Sequence, residues 1–207
     1  MSKESRSPFW YQVSLLTDDD LFLFNQGSHF RLYEKLGAHP LSAEGEEGTY
    51  FAVWAPDAER VSVVGDFNGW DASAHLLGSR GQSGIWEGFI PGVRKGQAYK
   101  YHIQSRFHGY RADKADPFSF FNEVSPKTAS VVWDPGYAWG DGEWMEKRAG
   151  ANNAQTAPWS IYEVHLGSWM RVPEEGDRPM TYRELAPRLA GYVKNMGFTH
   201  VQFLPLM

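Results

Sequence analysis

Acidic side chains are the first candidates for chemistry in this sequence, because carboxylates serve as acid–base groups and as metal ligands. Three consecutive aspartates, Asp18–Asp20, precede an apolar run, but no EF-hand spacing follows them. Thr17 lies directly before them and Gly27 follows the run, an order typical of a capped helix with acids in its first turn. The pattern therefore predicts a short helix rather than a metal site.

Glycine and histidine patterns are the next candidates for a binding site. The glycines between residues 78 and 88 match neither G-x-G-x-x-G nor the P-loop, and no helical pattern follows them. They favour a hairpin connection over a phosphate site. The seven histidines show no metal-ligand spacing, and the absence of cysteine excludes disulfides and thiol catalysis. We therefore predict neither a metal nor a cofactor.

Aromatic residues are abundant, with nine Trp, ten Tyr and thirteen Phe among 207 residues. Such rings fill hydrophobic cores and also form flat platforms for sugars. The net charge of −5 argues against a nucleic-acid or anionic-membrane partner. No apolar run reaches the ~20 residues of a membrane helix, and the N-terminus lacks the apolar core of a signal peptide. We expect a cytoplasmic protein.

Short strands dominate the first two thirds of the chain. The predicted strands are Thr49–Trp54, Arg60–Gly65, Ile85–Ile90 and Ala98–Gln104, with Phe107–Arg111 and Ala129–Val132 as weaker candidates. Strands spaced about ten residues apart, with turn residues between them, predict a β-sandwich over residues 41–135. Residues 1–40 form a lead-in that contains the short helix. Residues 136–158, rich in Gly, Asn and Ala, are predicted to be a linker.

A strand–helix–strand pattern fills residues 159–207. Its parts are the apolar strand Ile161–His165, a helix with a capping box at Thr181 and Glu184 and an end at Gly197, and the apolar strand His200–Leu204. This order predicts a βαβ unit with parallel strands and a right-handed crossover. Pro187 lies within the helical pattern, where it removes a hydrogen bond. It predicts either a kink or a helix that begins near Pro187.

The βαβ segment carries a family resemblance. Its runs SIYEVHLGSW and GFTHVQFLPLM resemble the first two barrel strands of bacterial 1,4-α-glucan (glycogen) branching enzymes, in glycoside hydrolase family 13. Gln202 and Phe203 replace the acidic and leucine residues that are usual there. The resemblance implies the truncated start of a (β/α)8 barrel. It also implies a parent enzyme that cleaves α-1,4 glucan chains and transfers them to a 6-hydroxyl.

Residues 41–135 carry a second resemblance, to family 48 carbohydrate-binding modules. The matching runs are FAVWAPDAERVSVVGDFNGWD, GIWEGFIPG, GQAYKYHI and KADPF. This similarity implies an immunoglobulin-like β-sandwich that contacts α-glucan, either glycogen or malto-oligosaccharide. The fold class that the two resemblances imply is mainly β, a sandwich followed by an incomplete barrel.

Related modules hold glucan with a tryptophan of an F-N-x-W loop, a strand lysine and a second tryptophan. Trp70 and Lys100 match the first two positions, and Tyr110 is the aromatic residue offered near the third. Asn68 belongs to the same loop and is a fourth candidate for sugar contact, although its position favours an amide that shapes the turn. Two alternatives remain: Trp70 as a plug at the end of the sandwich that packs against the barrel, and Lys100 as a solvated strand residue.

The implied reaction needs a carboxylate nucleophile and a carboxylic acid about 5 Å apart. In this family both lie on later barrel strands, and the acidic residues between 163 and 184 match neither position. We therefore predict no catalytic residue and no activity for the 207 residues alone. The alternatives are a non-catalytic glucan-binding module, or the N-terminal part of an isoamylase- or trehalohydrolase-type hydrolase. We expect the sandwich to pack on the missing barrel of a monomeric parent.

Overall fold

The computed structural model describes residues 13–148 and 156–206. The chain divides into two compact units, Met1–Tyr137 and Ala138–Met207, called here the N-terminal and C-terminal units. The start of the predicted lead-in, residues 1–12, and part of the predicted linker, residues 149–155, lie outside the described residues.

Two antiparallel sheets form the N-terminal unit. Sheet one contains, in spatial order, β1 (Gly37–Ala43), β2 (Glu46–Trp54), β5 (Ile85–Pro91) and β4 (Gly78–Ser79). Sheet two contains β3 (Ala58–Gly65), β6 (Ala98–Ser105), β7 (Arg111–Lys114) and β8 (Ser130–Val131). In sheet two, β3 lies along one side of β6, while β7 and β8 pair with successive parts of its other side. The predicted mainly β fold class is confirmed.

Strand β1 was not predicted from the sequence, and β7 differs from its predicted position. β1 begins at Gly37 and so crosses the boundary that the sequence placed at residue 41. Pro40 is tolerated because β1 lies at the edge of sheet one, where a missing N–H costs no ladder bond. The strand predicted at Phe107–Arg111 is wrong. His108 and Gly109 have φ angles of 55° and 63°, so this segment turns, and β7 begins only at Arg111.

A polar contact crosses the core between the two sheets. Tyr99 and Tyr101 of β6 are fully buried, and the Tyr101 hydroxyl lies 3.2 Å from the carbonyl oxygen of Ala52 in sheet one. Asp116, only 5% exposed, accepts a hydrogen bond of 2.6 Å from the Tyr99 hydroxyl and one of 2.8 Å from the Phe118 N–H. Burial raises the pKa of Asp116, so these donors are what allow a carboxyl group to lie here.

The outer face of sheet one is covered by the lead-in. Helix α1 (Asp18–Gln26) begins at the predicted cap, where Thr17 Oγ1 accepts the Asp20 N–H at 3.1 Å. Gly27, in the left-handed conformation, ends the helix, as predicted. The adjoining segment buries Leu16 in an apolar cluster with side chains of β2 and β5. Because both faces of β2 are covered, its burial is continuous from residue 48 to 53 and does not alternate.

Polar bonds hold this lead-in on the sheet. Glu87 of β5 is buried and accepts hydrogen bonds from the hydroxyl groups of Tyr50 and Ser14, the latter at 2.8 Å. Arg80 places its Nε 3.5 Å from the same carboxylate. Glu87 therefore joins sheet one to the segment that precedes α1.

The C-terminal unit is built on two parallel strands. Its elements are α2 (Gly142–Lys147), β9 (Ile161–Val164), α3 (Leu166–Trp169), β10 (Arg171–Val172), β11 (Arg178–Pro179), α4 (Tyr182–Asn195) and β12 (His200–Phe203). The parallel pairing of β9 with β12 around α4 is the arrangement that the sequence predicted. Pro187 lies in the second turn of α4, so the alternative of a helix that begins near Pro187 is wrong. The hairpin of β10 and β11 was not predicted.

Arg178 joins this hairpin to α4. Its guanidinium donates to both carboxylate oxygens of Glu184 at 2.9 Å and to Glu175 Oε2 at 2.6 Å. The Glu184 carboxylate also accepts the Thr181 N–H at 2.8 Å, which completes the predicted capping box. Hydrogen bonds from Arg178, and then those from Thr181, lower the pKa of Glu184 to about 2.

We predict that Arg178→Ala raises the pKa of Glu184 from about 2 toward the ordinary value of about 4, because its main donor is lost. A lowered pKa stabilises the folded state above pH ~4, and this stabilisation disappears as the pH falls through 2. The carboxyl-carbon chemical shift of Glu184, followed by NMR against pH, measures the change. Arg171→Ala removes another arginine of the hairpin and should leave the pKa in place. Equal changes in the pKa of Glu184 in both variants would mean that net charge, not direct hydrogen bonding, sets this pKa.

Candidate functional site

The loop that follows β3 places Trp70 on the surface. A 3₁₀ turn, Asp66–Asn68, leads into two left-handed residues, Gly69 and Trp70, with φ angles of 62° and 63°. A bulky residue rarely adopts this conformation, which costs on the order of 1–3 kcal/mol. Two bonds hold it there: the Trp70 N–H donates to Gly65 O at 3.0 Å, and its indole N–H donates to Asp66 Oδ1 at 2.9 Å. The indole ring is fixed with 40% of the residue exposed.

Phe67, not Trp70, packs against the core at this point of the loop. The Phe67 ring contacts the buried cluster between the sheets and lies 5.7 Å from the His75 ring. Within the N-terminal unit, the plug that the sequence offered as an alternative for Trp70 is therefore Phe67. The indole of Trp70 remains available as a surface ring.

The side chain of Asn68 forms hydrogen bonds within the loop and with the end of β3. Its Oδ1 accepts the Gly65 N–H at 3.0 Å, and its Nδ2 donates to Val63 O at 2.9 Å. The same Nδ2 lies 2.8 Å from His75 Nδ1. Burial lowers the pKa of His75, which favours the neutral ring that can accept this bond. Asn68 thus shapes the loop, as the sequence predicted.

Lys100 lies on the outer face of sheet two, beside the loop. Its neighbours Tyr99 and Tyr101 point into the core, and successive side chains of a strand alternate between faces. Its Nζ donates to Thr128 Oγ1 at 2.7 Å. Because Gly65, which binds the Trp70 N–H, pairs with Tyr99, Lys100 and the Trp70 loop share one end of the sheet. The sequence had not singled out Thr128.

Tyr110 lies at the opposite end of sheet two. Its carbonyl accepts the Ser105 N–H at 2.9 Å, and Ser105 is the last residue of β6. Ser105 lies five positions along the strand from Lys100, a distance of about 16 Å. Tyr110 is an exposed ring, but it cannot form a stacking pair with Trp70. The sequence suggested Tyr110 because it is close to the matched motif along the chain. Its place in the structure is set instead by the pairing of strands.

Three acid–base groups of the C-terminal unit form local contacts. Glu175 and Glu184 share Arg178, and His165 places Nδ1 2.9 Å from Ser168 Oγ. In the part of the chain that the structure describes, no three His, Cys, Asp or Glu side chains come together as a metal site. Across residues 13–148 and 156–206, no helix has both the length and the apolar character needed to span a bilayer.

A family comparison identifies the sandwich. Residues 35–119 match the family described as carbohydrate-binding module 48 (isoamylase N-terminal domain). The match covers β1 to β7 together with the Trp70 loop, and confirms the resemblance predicted for this part of the chain.

Similar proteins extend the match to nearly the whole chain. It is 54% identical over 202 residues to the 1,4-alpha-glucan branching enzyme GlgB of Myxococcus xanthus, which covers 97% of this chain and 27% of that protein. The corresponding enzyme of Gloeobacter violaceus is 53% identical over 199 residues, 95% of this chain and 27% of its own. That of Aquifex aeolicus is 53% identical over 197 residues, 95% of this chain and 31% of its own. The chain spans less than a third of these relatives.

Solved structures share the fold at lower identity. One is the catalytic module of the glycogen-degrading pneumococcal virulence factor SpuA, with a TM-score of 0.58, 25% identity, and coverage of 84% of this chain and 27% of that one. Another is the Group B Streptococcus pullulanase SAP in complex with maltotetraose, with a TM-score of 0.58, 20% identity, and coverage of 84% and 24%. These likenesses support the arrangement of strands described above.

Proposed function

We propose that this chain, whose residues 35–119 match the family of carbohydrate-binding module 48, is the N-terminal part of a 1,4-α-glucan branching enzyme. The whole protein would cleave α-1,4 glucan chains and transfer them to a 6-hydroxyl, which creates an α-1,6 branch. The observation that carries the proposal is the 54% identity to a branching enzyme over 97% of the chain. The hydrolase alternative is disfavoured, since the glycogen-degrading and pullulanase structures are only 25% and 20% identical.

The proposed role of the N-terminal unit is to bind α-glucan at the end of sheet two. The apolar face of a pyranose packs on an aromatic ring, and the fixed indole of Trp70 offers such a ring. The Lys100 ammonium lies on the neighbouring strand, where it can donate to sugar hydroxyls. One ring with few polar contacts supports a Kd of roughly 1 mM, about −4 kcal/mol.

The proposed role of the C-terminal unit is to begin a catalytic barrel. The parallel pair β9 and β12 with α4 is a single βαβ repeat of such a fold. A groove of about 380 Å³ remains between α4 and the strands, and is lined by apolar side chains that include Leu166, Val201 and Phe203. Further strands would bury this surface. This observation also disfavours a stand-alone glucan-binding module.

Two acidic side chains that follow β9, Glu175 and Glu184, are unsuited to act as the general acid because both bind Arg178. A general acid must be protonated near neutral pH, whereas the pKa of Glu184 is held at about 2 by Arg178. Glu175 binds the same guanidinium. Because the other acidic residues between 163 and 184 match no catalytic position of the resembled family, we place the nucleophile and the acid of the proposed enzyme outside these 207 residues.

The product of the complete gene and the 207-residue chain, each incubated with amylose, test the proposal. Branching lowers the absorbance of the iodine complex without creating reducing ends, whereas hydrolysis lowers it and creates them. We expect the complete product to branch and the 207-residue chain to do neither. New reducing ends in proportion to the fall would favour the hydrolase alternative, and activity of the short chain would contradict the placement of the carboxylates.

A further inference from the structure

A second aromatic surface lies beside β8, separate from the Trp70 loop. It is an open groove of about 590 Å³ in the N-terminal unit. Its lining includes Phe121, Asn122, Glu123, Lys127 and Trp133. None of these residues was predicted from the sequence to belong to a binding site.

The groove contains a rigid pair of aromatic rings. Phe121 and Trp133 are stacked, with ring centroids 4.9 Å apart and planes 27° apart. Lys95 places its Nζ 4.2 Å from the Trp133 ring, so Trp133 is packed as a support. Phe121 is 46% exposed, and its backbone is fixed because its carbonyl accepts the Val131 N–H at 2.8 Å. A ring held in this way provides a flat surface at little entropic cost.

The charges around the groove balance each other. Lys127 Nζ lies 3.2 Å from Glu123 Oε1, and Glu123 Oε2 accepts the Ala129 N–H at 3.2 Å. Asn122 adds an uncharged amide, whose Oδ1 accepts the Ser130 hydroxyl at 3.2 Å. A paired cation and anion beside an amide and an aromatic ring suit an uncharged ligand with many hydroxyl groups.

The groove is continuous with the Trp70 end of sheet two. Lys127 lines it, and the next residue, Thr128, accepts the hydrogen bond from Lys100. Val132 points into the core, so its neighbour Trp133 lies on the outer face, as does Lys100. Strands β3 and β8 lie on opposite sides of β6. The Trp70 loop, which follows β3, and the groove beside β8 are therefore two strand spacings apart, about 10 Å.

We propose that this groove is a second subsite for α-1,4-glucan, in which Phe121 stacks on a sugar ring. A chain held at Trp70 continues past Lys100 and Thr128 onto Phe121. The choice of ligand rests on the proposed function, whereas the location of the subsite rests on the stacked pair and its polar surroundings. Two linked contacts on one chain bind more tightly than either alone, so long oligosaccharides gain more than short ones.

NMR of the 207-residue chain with maltoheptaose tests the subsite. The indole N–H signals of Trp70 and Trp133 report the two surfaces separately, and Trp70→Phe and Trp133→Phe assign them. We expect both signals to shift with maltoheptaose. Phe121→Leu keeps an apolar side chain on Trp133 but removes the flat ring. It should weaken maltoheptaose binding roughly tenfold or more. Phe121→Tyr retains the ring and should restore binding.

The outcomes separate this inference from the proposed function. A shift of the Trp70 signal alone, with unchanged affinity in Phe121→Leu, would overturn the second subsite and leave glucan binding at the loop intact. No shift of either signal would overturn glucan binding by the module altogether. Melting temperatures of the Phe121 variants show whether they still fold. If they do not, the response of the Trp133 signal to maltoheptaose in the unsubstituted chain decides whether the second subsite exists.

Discussion

Trp70→Gly should abolish glucan binding at the loop after β3 without lowering the melting temperature of the N-terminal unit. The two effects separate because Trp70 occupies a left-handed conformation with a φ angle of 63°. Glycine adopts this conformation without the Cβ penalty, so the substitution relieves backbone strain. The lost indole was largely outside the core and contributes little to folding.

Amide signals of residues 66–71, followed during titration with maltoheptaose, measure binding, and thermal unfolding measures stability. Tyr110→Ala is the matched control, since it removes a ring that is 54% exposed at the far end of the same sheet. We expect the control to bind as the unsubstituted chain does. If the amide signals of the loop still respond to maltoheptaose in Trp70→Gly, the assignment of Trp70 as the sugar platform is wrong. A lower melting temperature would show that Trp70 supports the fold.

Asp116→Ala should destabilise the N-terminal unit more than any surface substitution considered above. It removes the acceptor of the buried Tyr99 hydroxyl and of the Phe118 N–H. A buried donor without a partner costs ~1–3 kcal/mol, so we expect a loss of about 3 kcal/mol in the free energy of unfolding. For a domain of this size the melting temperature should fall by roughly 10 °C.

Urea unfolding followed by tyrosine and tryptophan fluorescence measures this loss. Asp113→Ala is the control, because Asp113 forms an exposed pair with His102 at 2.7 Å on the outer face of sheet two. Such a pair contributes about 1 kcal/mol or less. Asp116→Asn keeps an acceptor oxygen and should lose less than Asp116→Ala. Similar losses for Asp113→Ala and Asp116→Ala would contradict the role given to the buried carboxylate.

Features fixed by neighbouring residues were predictable from the sequence. The caps at Thr17 and Thr181 each depend on a side chain three residues away, so the one-dimensional pattern contains the whole interaction. The parallel strands of the C-terminal unit were found for a similar reason, since each is a short apolar run next to a clear helix signal. At Pro187 the local cap at Thr181 outweighed the missing hydrogen bond, and the helix kept its early start.

Features fixed by strand pairing were not predictable in this way. Tyr110 is close to the matched motif along the chain, but its attachment to Ser105 places it at the far end of β6. Phe121 and Trp133 are twelve positions apart and meet because residues 121–123 pair with residues 129–131, where Asn122 and Ser130 form an antiparallel bridge and the Val131 N–H donates to Phe121 O. A sequence pattern records which residues form strands, whereas these contacts depend on the order and register of the strands.

The segment before β1, which packs on the outer face of sheet one, must be transferred together with the sandwich if the domain is to fold in another protein. The family match runs from residue 35 to 119, yet Leu16 belongs to the apolar cluster on sheet one, and Ser14 binds the buried Glu87. A gene fusion that transferred only the matched residues would expose fully buried rings such as Tyr50 and Phe89. It would also leave behind β8, which completes sheet two beside Lys100. Recombination between proteins that share this sandwich should therefore preserve boundaries outside the family match, and shuffled modules should retain the helix that precedes their first strand.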